Sequence, residues 1–177
     1  IMLHGLASSP ATWVNLTNDI LNDDKLRENY QVWQIFYPTN LPILENRYQT
    51  QQLIEATYQQ TDPDGQIIAS QNSVIISHSM GGIIARMMLS DENLIDDLDR
   101  LDEQGTLSAS EKRKIRDALK QSFGEEQLEK RFRLQTLPQV DTAVFLSTPF
   151  RGTDYADRWF TRALRRIVYL PVGLVKT

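Results

Sequence analysis

The sequence feature that most constrains the fold is the segment 74–86, VIISHSMGGIIAR. It begins with β-branched, apolar residues typical of a short buried strand and continues into an apolar run typical of a helix. When a strand turns directly into a helix, the two backbones pass so close that the residues two before and two after the turn, Ser77 and Gly81, must be small. Gly82 adds further clearance. The segment therefore predicts a strand–turn–helix unit with Ser79 at its tip.

The rest of the chain alternates short apolar runs with helical patterns. Strands are predicted at residues 1–3, 32–36, 74–77 and 143–147, and helices at residues 11–22, 45–60, 81–89 and 155–168. Alternating strands and helices favour βαβ units, right-handed crossovers and a parallel sheet. Because the strands are apolar without alternation, we expect helices on both faces of that sheet. The predicted fold class is α/β with a mostly parallel sheet and a helical insertion.

The insertion is a charged block at residues 91–138. Between residues 91 and 136, 21 of 46 residues are charged, and the other 131 residues hold only 21. A first short helix is indicated by apolar residues at helical spacing: Leu94, Ile95, Leu98 and Leu101. A second helix begins at Ser108 or Ser110, with Glu111 in its first turn. The block is interpreted either as a solvated helical hairpin or as a cap over a site at the sheet edge.

The composition excludes several kinds of site and partner. The 177 residues contain no cysteine and two histidines, which excludes a thiolate metal site and a cysteine nucleophile. A net charge of −4 without clustered cations argues against a nucleic-acid partner. No run approaches the roughly 18 apolar residues of a membrane span. The sequence starts with Ile1 inside an apolar run, which suggests a piece of a longer protein and leaves its localisation unknown.

The turn at Ser79 has the context of a nucleophile elbow. In such a turn a strained backbone projects a hydroxyl group beyond the end of the strand. The N-terminus of the following helix then places a positive dipole where an oxyanion forms. The alternative is an ordinary small-residue turn between a strand and a helix, as many α/β proteins have.

The opening segment at residues 3–13, LHGLASSPATW, supports the first reading. A strand ends there in His4 and Gly5, and a small, flexible loop leads into a helix. In acyl-transfer enzymes of this architecture such a loop supplies a second oxyanion donor. We predict that the backbone N–H groups of Leu6 and Met80 both donate to the same oxyanion, because two convergent donors stabilise a tetrahedral intermediate. Losing one such donor costs about 3–4 kcal/mol of transition-state stabilisation.

Three segments together resemble the α/β-hydrolase superfamily, in its esterase/lipase branch. They are LHGLASSPATW, SHSMGGIIAR and FLSTPFRGTDYA, the third at residues 145–156. The third resembles a segment of many bacterial lipase-like proteins, and the last two are similar to the inositol-deacylase-like group. The resemblance implies that Ser79 is the nucleophile and that the N–H groups of Leu6 and Met80 form the oxyanion hole. Ser77 stands where the usual elbow has glycine, and Phe150 stands where this group often has histidine.

The resemblance assigns supporting roles to the residues around these groups: His4, Gly5, Ser77, His78, Gly81 and Gly82. His4 is expected to organise the oxyanion loop, and His78 to pack behind the elbow. The family order is nucleophile, acid, histidine, so neither histidine is a well-placed general base. The candidate acids are poorly placed as well: Asp141, Asp154 and Asp157. Both triad partners are expected beyond Thr177, so this segment alone is expected to be inactive.

The function that the resemblance implies is cleavage of carboxylic esters through an acyl-serine, without metal or organic cofactor. The alternatives are an amidase, thioesterase or acyltransferase on the same fold, and a non-catalytic hydrolase-like binding protein. The expected substrate is a small-molecule or lipid ester. Arginines flank the apolar stripe of the last predicted helix and indicate either a sheet-covering helix or membrane-surface contact. In this prediction residues 1–177 are a partial α/β-hydrolase domain, interrupted at residues 91–138.

Overall fold

The computed structural model of the protein describes residues 1–95 and 108–150. In chain order the strands are β1 (Met2–Leu3), β2 (Gln34–Ile35), β3 (Ser73–His78), β4 (Glu92–Asn93), β5 (Arg133–Leu134) and β6 (Val140–Leu146). The α-helices are α1 (Val14–Asn22), α2 (Asp24–Asn29), α3 (Ile43–Thr61), α4 (Met80–Met88), α5 (Ala109–Phe123) and α6 (Glu125–Phe132). Short 3₁₀ helices occupy Pro10–Trp13 and Ile68–Ser70.

The structure is mixed α/β, which confirms the predicted class at that level. Strands β1, β2, β3 and β6 form a four-stranded parallel sheet in the order β2-β1-β3-β6. Leu3 pairs with Ile35 on one side and with Ser77 on the other, and Ser77 pairs with Phe145. The carboxyl ends of all four strands therefore reach one common edge of the sheet.

The strand order reverses between β1 and β3. The chain leaves β1 for β2, then returns across β1 to β3. Right-handed crossovers place α1 and α3 on opposite faces of the sheet. On one face, Thr17 of α1 contacts Met2, with 3.6 Å between Oγ1 and Sδ; on the other, α3 packs against α4. The crevice between the carboxyl ends of β1 and β3 is thus a topological switch point, where open α/β sheets bind ligands.

Apolar residues from the strands and from helices α3 and α4 form the core beneath this edge. The innermost side chains are fully buried: Leu3, Ile54, Ile75, Ile84, Ala85 and Met88. Burying a side chain such as Leu or Ile stabilises the fold by roughly 1.5–3 kcal/mol relative to exposure. This packing holds β1, β3 and α4 in place and so positions the loops that follow β1 and β3.

The chain divides into two compact units, one of residues 1–90 and 135–150 and another described at residues 91–95 and 108–134. In the second unit, α5 begins at a capping box, and of the two predicted caps, Ser108 and Ser110, it is Ser108 that caps the helix. The Ser108 hydroxyl accepts from the N–H of Glu111 at 3.3 Å, and the Glu111 carboxylate accepts from the N–H of Ser108 at 2.8 Å. Gly124, at φ 72°, separates α5 from α6.

Some predicted elements differ from the structure. The helix predicted at residues 11–22 starts as the 3₁₀ turn Pro10–Trp13 before α1 continues it. The helix predicted through Leu94 and Ile95 is wrong at those residues, which follow strand β4 in a turn. The Leu94 N–H donates to the Phe132 carbonyl at 3.0 Å, so pairing across the β4–β5 ladder overrides the helical spacing.

Several predictions lie outside the described residues. They concern Leu98 and Leu101, Asp154 and Asp157, the helix at residues 155–168 with its arginines, and the end of the FLSTPFRGTDYA segment. Among the helices that the structure does describe, none is long and apolar enough to span a bilayer.

Candidate active site

Ser79 lies at the junction of β3 and α4 in a strained backbone conformation, with φ 52° and ψ −121°. A positive φ is unfavourable for a residue with a side chain and costs about 1–3 kcal/mol. Two backbone hydrogen bonds hold the turn: the Ser79 N–H donates to the Leu146 carbonyl at 3.0 Å, and the Gly82 N–H donates to the Ser79 carbonyl at 3.0 Å. The Ser79 hydroxyl makes no hydrogen bond within residues 1–95 and 108–150. The backbone geometry is that of a sharp strand-to-helix elbow.

Backbone strain gathers at the same edge of the sheet. In the described part of the chain, four non-glycine residues have positive φ. Three of them follow the carboxyl ends of strands: Ala7 at 52° after β1, Ser79 at 52° after β3 and Ser147 at 50° after β6. Strain of this kind persists where the surrounding structure enforces it and clusters at functional sites. The sequence carries no signal for the strain at Ala7 or Ser147.

The loop after β1 lies directly against the elbow at Gly5. A Cβ built on Gly5 would lie 3.1 Å from the Cβ of Ser79 and 3.0 Å from Nδ1 of His78. Both distances are tighter than ordinary carbon contacts. Glycine therefore allows the loop to approach the candidate nucleophile more closely than a larger residue would. The half-buried His78 ring lies beside this loop, and it makes no hydrogen bond to any residue that the structure describes.

Gly81 and Gly82 let α4 approach its neighbours. A Cβ on Gly81 would lie 2.5 Å from the carbonyl oxygen of His4, and a Cβ on Gly82 would lie 1.9 Å from Oγ1 of Thr148. The first contact is with the backbone of β1, and the second is with the loop after β6. Both glycines are buried. Small residues are therefore needed after the turn, but the closest neighbours of Gly81 are Leu3 and His4 and not β3, the strand from which the prediction argued.

Ser77 occupies the other small position of the elbow. It is completely buried, and its hydroxyl donates to the carbonyl of Val144 on β6 at 3.1 Å. A buried hydroxyl without a partner would be costly, and this bond removes that cost. The acceptor on the neighbouring strand explains how serine fits where the usual pattern has glycine.

His4 directly follows β1 and is fully buried, with both ring nitrogens engaged by backbone groups. The Tyr37 N–H donates to Nε2 at 3.5 Å, which assigns the ring proton to Nδ1, and Nδ1 then donates to the Gly5 carbonyl at 3.0 Å. The Tyr37 ring stacks on the imidazole at 4.3 Å with a tilt of 9°, and its hydroxyl donates to the His4 carbonyl. Sequence reasoning missed Tyr37, because nothing local links it to a residue 33 positions earlier.

The two backbone N–H groups predicted as oxyanion donors belong to Leu6 and Met80. Neither the N–H of Leu6 nor that of Met80 donates to an acceptor among the residues described here. Met80 is the first residue of α4, where backbone N–H groups have no partner within the helix and carry the positive end of its dipole. Both donors follow strands that border the switch point.

No acid–base partner for Ser79 lies within the described ranges. Asp141 is exposed near the start of β6, at the opposite edge of the sheet, and accepts from the Thr142 hydroxyl at 2.9 Å. Within residues 1–95 and 108–150, no group of three or more His, Cys, Asp or Glu residues is arranged to hold a metal ion.

No protein-family model, curated protein or solved structure matches this chain. Any assignment of function therefore has to rest on the residues and the geometry of the chain itself.

Proposed function

We propose that this chain is the nucleophile-bearing part of a serine ester hydrolase with the α/β-hydrolase fold, and that Ser79 is its nucleophile. The observation that carries the proposal is the contact of Gly5 with Ser79 at the switch point of a parallel sheet. It brings a strained serine at a helix N-terminus next to the loop that carries Leu6, whose N–H donates to no acceptor among residues 1–95 and 108–150. A hydroxyl nucleophile with two backbone N–H donors in the adjoining segments is the combination of groups that acyl transfer needs.

The reaction then runs in two halves. A general base takes the Ser79 proton while Oγ attacks the ester carbonyl, and the N–H groups of Leu6 and Met80 stabilise the resulting oxyanion. The intermediate collapses to an acyl-serine, and the leaving alcohol takes the proton from the protonated base. Water, deprotonated by the same base, releases the acid and restores the serine. We assign the base to a group outside the described residues, because both ring nitrogens of His4 are engaged by backbone groups and the His78 ring makes no hydrogen bond to the Ser79 hydroxyl.

The surroundings of Ser79 support an ester with an apolar acid part. Large apolar side chains follow three strands at the same edge: Leu6 after β1 is 54% exposed, Phe36 after β2 is 68% exposed and Phe150 after β6 is 55% exposed. Exposed apolar groups grouped around a polar centre are typical of ligand sites. Cleavage of amides or thioesters and acyl transfer to an alcohol would use the same steps. Comparing kcat/KM for ester, amide and thioester substrates, and for transfer to an added alcohol, distinguishes these alternatives.

The second candidate is a non-catalytic protein that binds apolar ligands at this edge. It is favoured by the lack of a base for the Ser79 hydroxyl among the described residues, since both ring nitrogens of the buried His4 hydrogen-bond to backbone groups. In that case ligand binding at the apolar edge would persist without any covalent chemistry at Ser79.

Labelling of the natural full-length protein with a fluorophosphonate tests the proposal. We expect one adduct on Ser79, loss of the adduct in Ser79→Ala, and ester hydrolysis that disappears with it. Ser147→Ala is the matched control, because Ser147 is also a positive-φ serine at the end of an adjacent strand. Unlabelled wild-type protein, or labelling that survives Ser79→Ala, would refute the enzyme; binding of an apolar ester without labelling would favour the second candidate.

A further inference from the structure

We infer that Tyr37 is a positioning residue that sets the direction of the Leu6 N–H through His4; the inference rests on the proposed function. The Leu6 N–H belongs to the same planar peptide unit as the Gly5 carbonyl, and in a trans peptide the two point in opposite directions. His4 Nδ1 holds that carbonyl at 3.0 Å. Whatever fixes the His4 ring therefore fixes the orientation of the proposed oxyanion donor.

Tyr37 holds His4 at three places. Its N–H engages Nε2 at 3.5 Å and thereby selects the tautomer in which Nδ1 carries the proton. Its ring stacks on the imidazole at 4.3 Å. Its hydroxyl donates to the His4 carbonyl, the same oxygen that faces Gly81 of the elbow helix. Tyr37 is 3% exposed and His4 fully buried, so water does not compete freely for these bonds.

A second contact holds the far end of the same loop. The Ala7 N–H donates to Oγ1 of Thr39 at 3.3 Å, two residues beyond Tyr37. Residues 37–39 thus bind the loop on both sides of the Gly5–Leu6 peptide, while the Leu6 N–H donates to no group in the part of the chain that the structure describes. This arrangement fixes the direction of a donor before the oxyanion forms, which is the preorganisation that transition-state stabilisation requires.

Tyr37→Phe isolates the hydroxyl, because phenylalanine keeps the ring stack and the backbone N–H. The His4 carbonyl then loses its donor in a buried place, and the peptides that follow it lose their fixed orientation. We expect kcat for a p-nitrophenyl ester to fall about ten- to a hundredfold, less than the hundred- to thousandfold typical of deleting a whole oxyanion donor. KM should stay unchanged, since the oxyanion exists only in the transition state. Thr39→Val should lower kcat in the same way but by less, because its bond is exposed.

Tyr58→Phe is the matched control. Tyr58 is 5% exposed and its hydroxyl lies 2.5 Å from Oγ of Ser73, at the opposite end of β3 from Ser79. It therefore loses a buried tyrosine hydroxyl of the same kind without touching the loop after β1. A purely structural role of Tyr37 predicts equal effects of both variants on thermal stability and on the fraction of protein labelled. A positioning role predicts that the fall in kcat occurs in Tyr37→Phe and not in Tyr58→Phe.

The experiment compares the three variants with the natural full-length protein by steady-state kinetics and by NMR of the His4 Nδ1–H proton. We expect that proton to exchange slowly with water in the wild type and in Tyr58→Phe, and faster in Tyr37→Phe. An unchanged kcat in Tyr37→Phe, or an equal fall in Tyr58→Phe, would overturn the inference. If the wild type neither hydrolyses esters nor labels at Ser79, the proposed function fails. In that case the exchange rate of the His4 Nδ1–H proton alone tests whether Tyr37 holds His4 in place. An exchange rate in Tyr37→Phe equal to that of the wild type overturns the positioning role, and a faster rate supports it.

Discussion

The carbonyl oxygen of His4 faces Gly81 so closely that a Cβ on Gly81 would lie 2.5 Å from it. The same Cβ would lie 2.6 Å from the carbonyl oxygen of Leu3. Strand β1 and helix α4 thus meet backbone to backbone, without a side chain between them. This contact keeps the loop after β1 beside the turn at Ser79, and it makes the size of residue 81 a structural requirement.

We expect Gly81→Ala to destabilise the protein by about 1–3 kcal/mol or more, because the obstructing atoms are backbone atoms that no rotamer change can move. Gly65→Ala is the comparison. Gly65 has φ 63° but no atom within 4 Å of an added Cβ, so only backbone strain opposes alanine there. Urea unfolding should show the larger loss for Gly81→Ala. A Gly81→Ala variant as stable as the wild type would mean that the backbone contact carries no energetic weight.

Gly82 should behave differently, since its obstruction is a side chain. A Cβ on Gly82 would lie 1.9 Å from Oγ1 and 2.6 Å from Cγ2 of Thr148, and Oγ1 is buried without a hydrogen-bond partner within the described structure. Thr148→Ala removes both atoms. We therefore expect Gly82→Ala to cost less in a Thr148→Ala background, with a coupling energy of about 0.5–3 kcal/mol in a double-mutant cycle. Additive losses would contradict the contact.

Sequence reasoning succeeded where the physics is local. The elbow follows from a β-branched strand, small residues on both sides of Ser79 and an apolar helix, all within a short segment, and the Ser108 cap is equally local. It failed where distant residues decide. The Tyr37–His4 bonds join residues 33 apart, and the Ser77–Val144 bond joins residues 67 apart.

The helical spacing of the apolar residues gave a wrong prediction at Leu94, again because a distant residue decides the local structure. Short apolar runs fit a helix and a strand almost equally well, and the partner strand β5, about forty residues later, decides between them. The general base that the proposed function requires lies beyond local prediction too. No pattern in the sequence identifies a candidate, and no group among residues 1–95 and 108–150 hydrogen-bonds the Ser79 hydroxyl.

The Ser77 hydroxyl offers a test of why serine stands at this position. Ser77→Ala should lower the free energy of unfolding by about 0.5–1.5 kcal/mol, because it removes one buried hydrogen bond and takes a donor away from the Val144 carbonyl. Ser77→Val should cost more, since the two methyl groups of valine enter a completely buried position. Thermal unfolding of the two variants provides the measurement. A valine variant as stable as the alanine variant would show that the space beside Ser77 is not restricted.

The capping box at the start of α5 predicts a local effect in the second unit. Ser108→Ala removes the oxygen that accepts from the Glu111 N–H, so we expect a loss of about 0.5–2 kcal/mol. Gln121→Ala, an exposed change on the same helix, should be neutral or slightly stabilising because alanine favours helices. Helical circular dichroism during urea unfolding measures both. Equal stability of Ser108→Ala and the wild type would show that the cap contributes nothing.

Burial raises the pKa of Tyr37 well above its usual value. In the unfolded chain Tyr37 ionises near pH 10, the ordinary value, whereas in the folded protein it keeps its proton. The folded state therefore binds more protons above about pH 10, and the free energy of unfolding falls as the pH rises through that range. Tyr37→Phe has no such proton, so its stability should decline less steeply between about pH 9 and about pH 11. Urea unfolding across this pH range measures the two slopes, and a Tyr37→Phe slope equal to that of the wild type would mean that the buried hydroxyl does not govern alkaline stability.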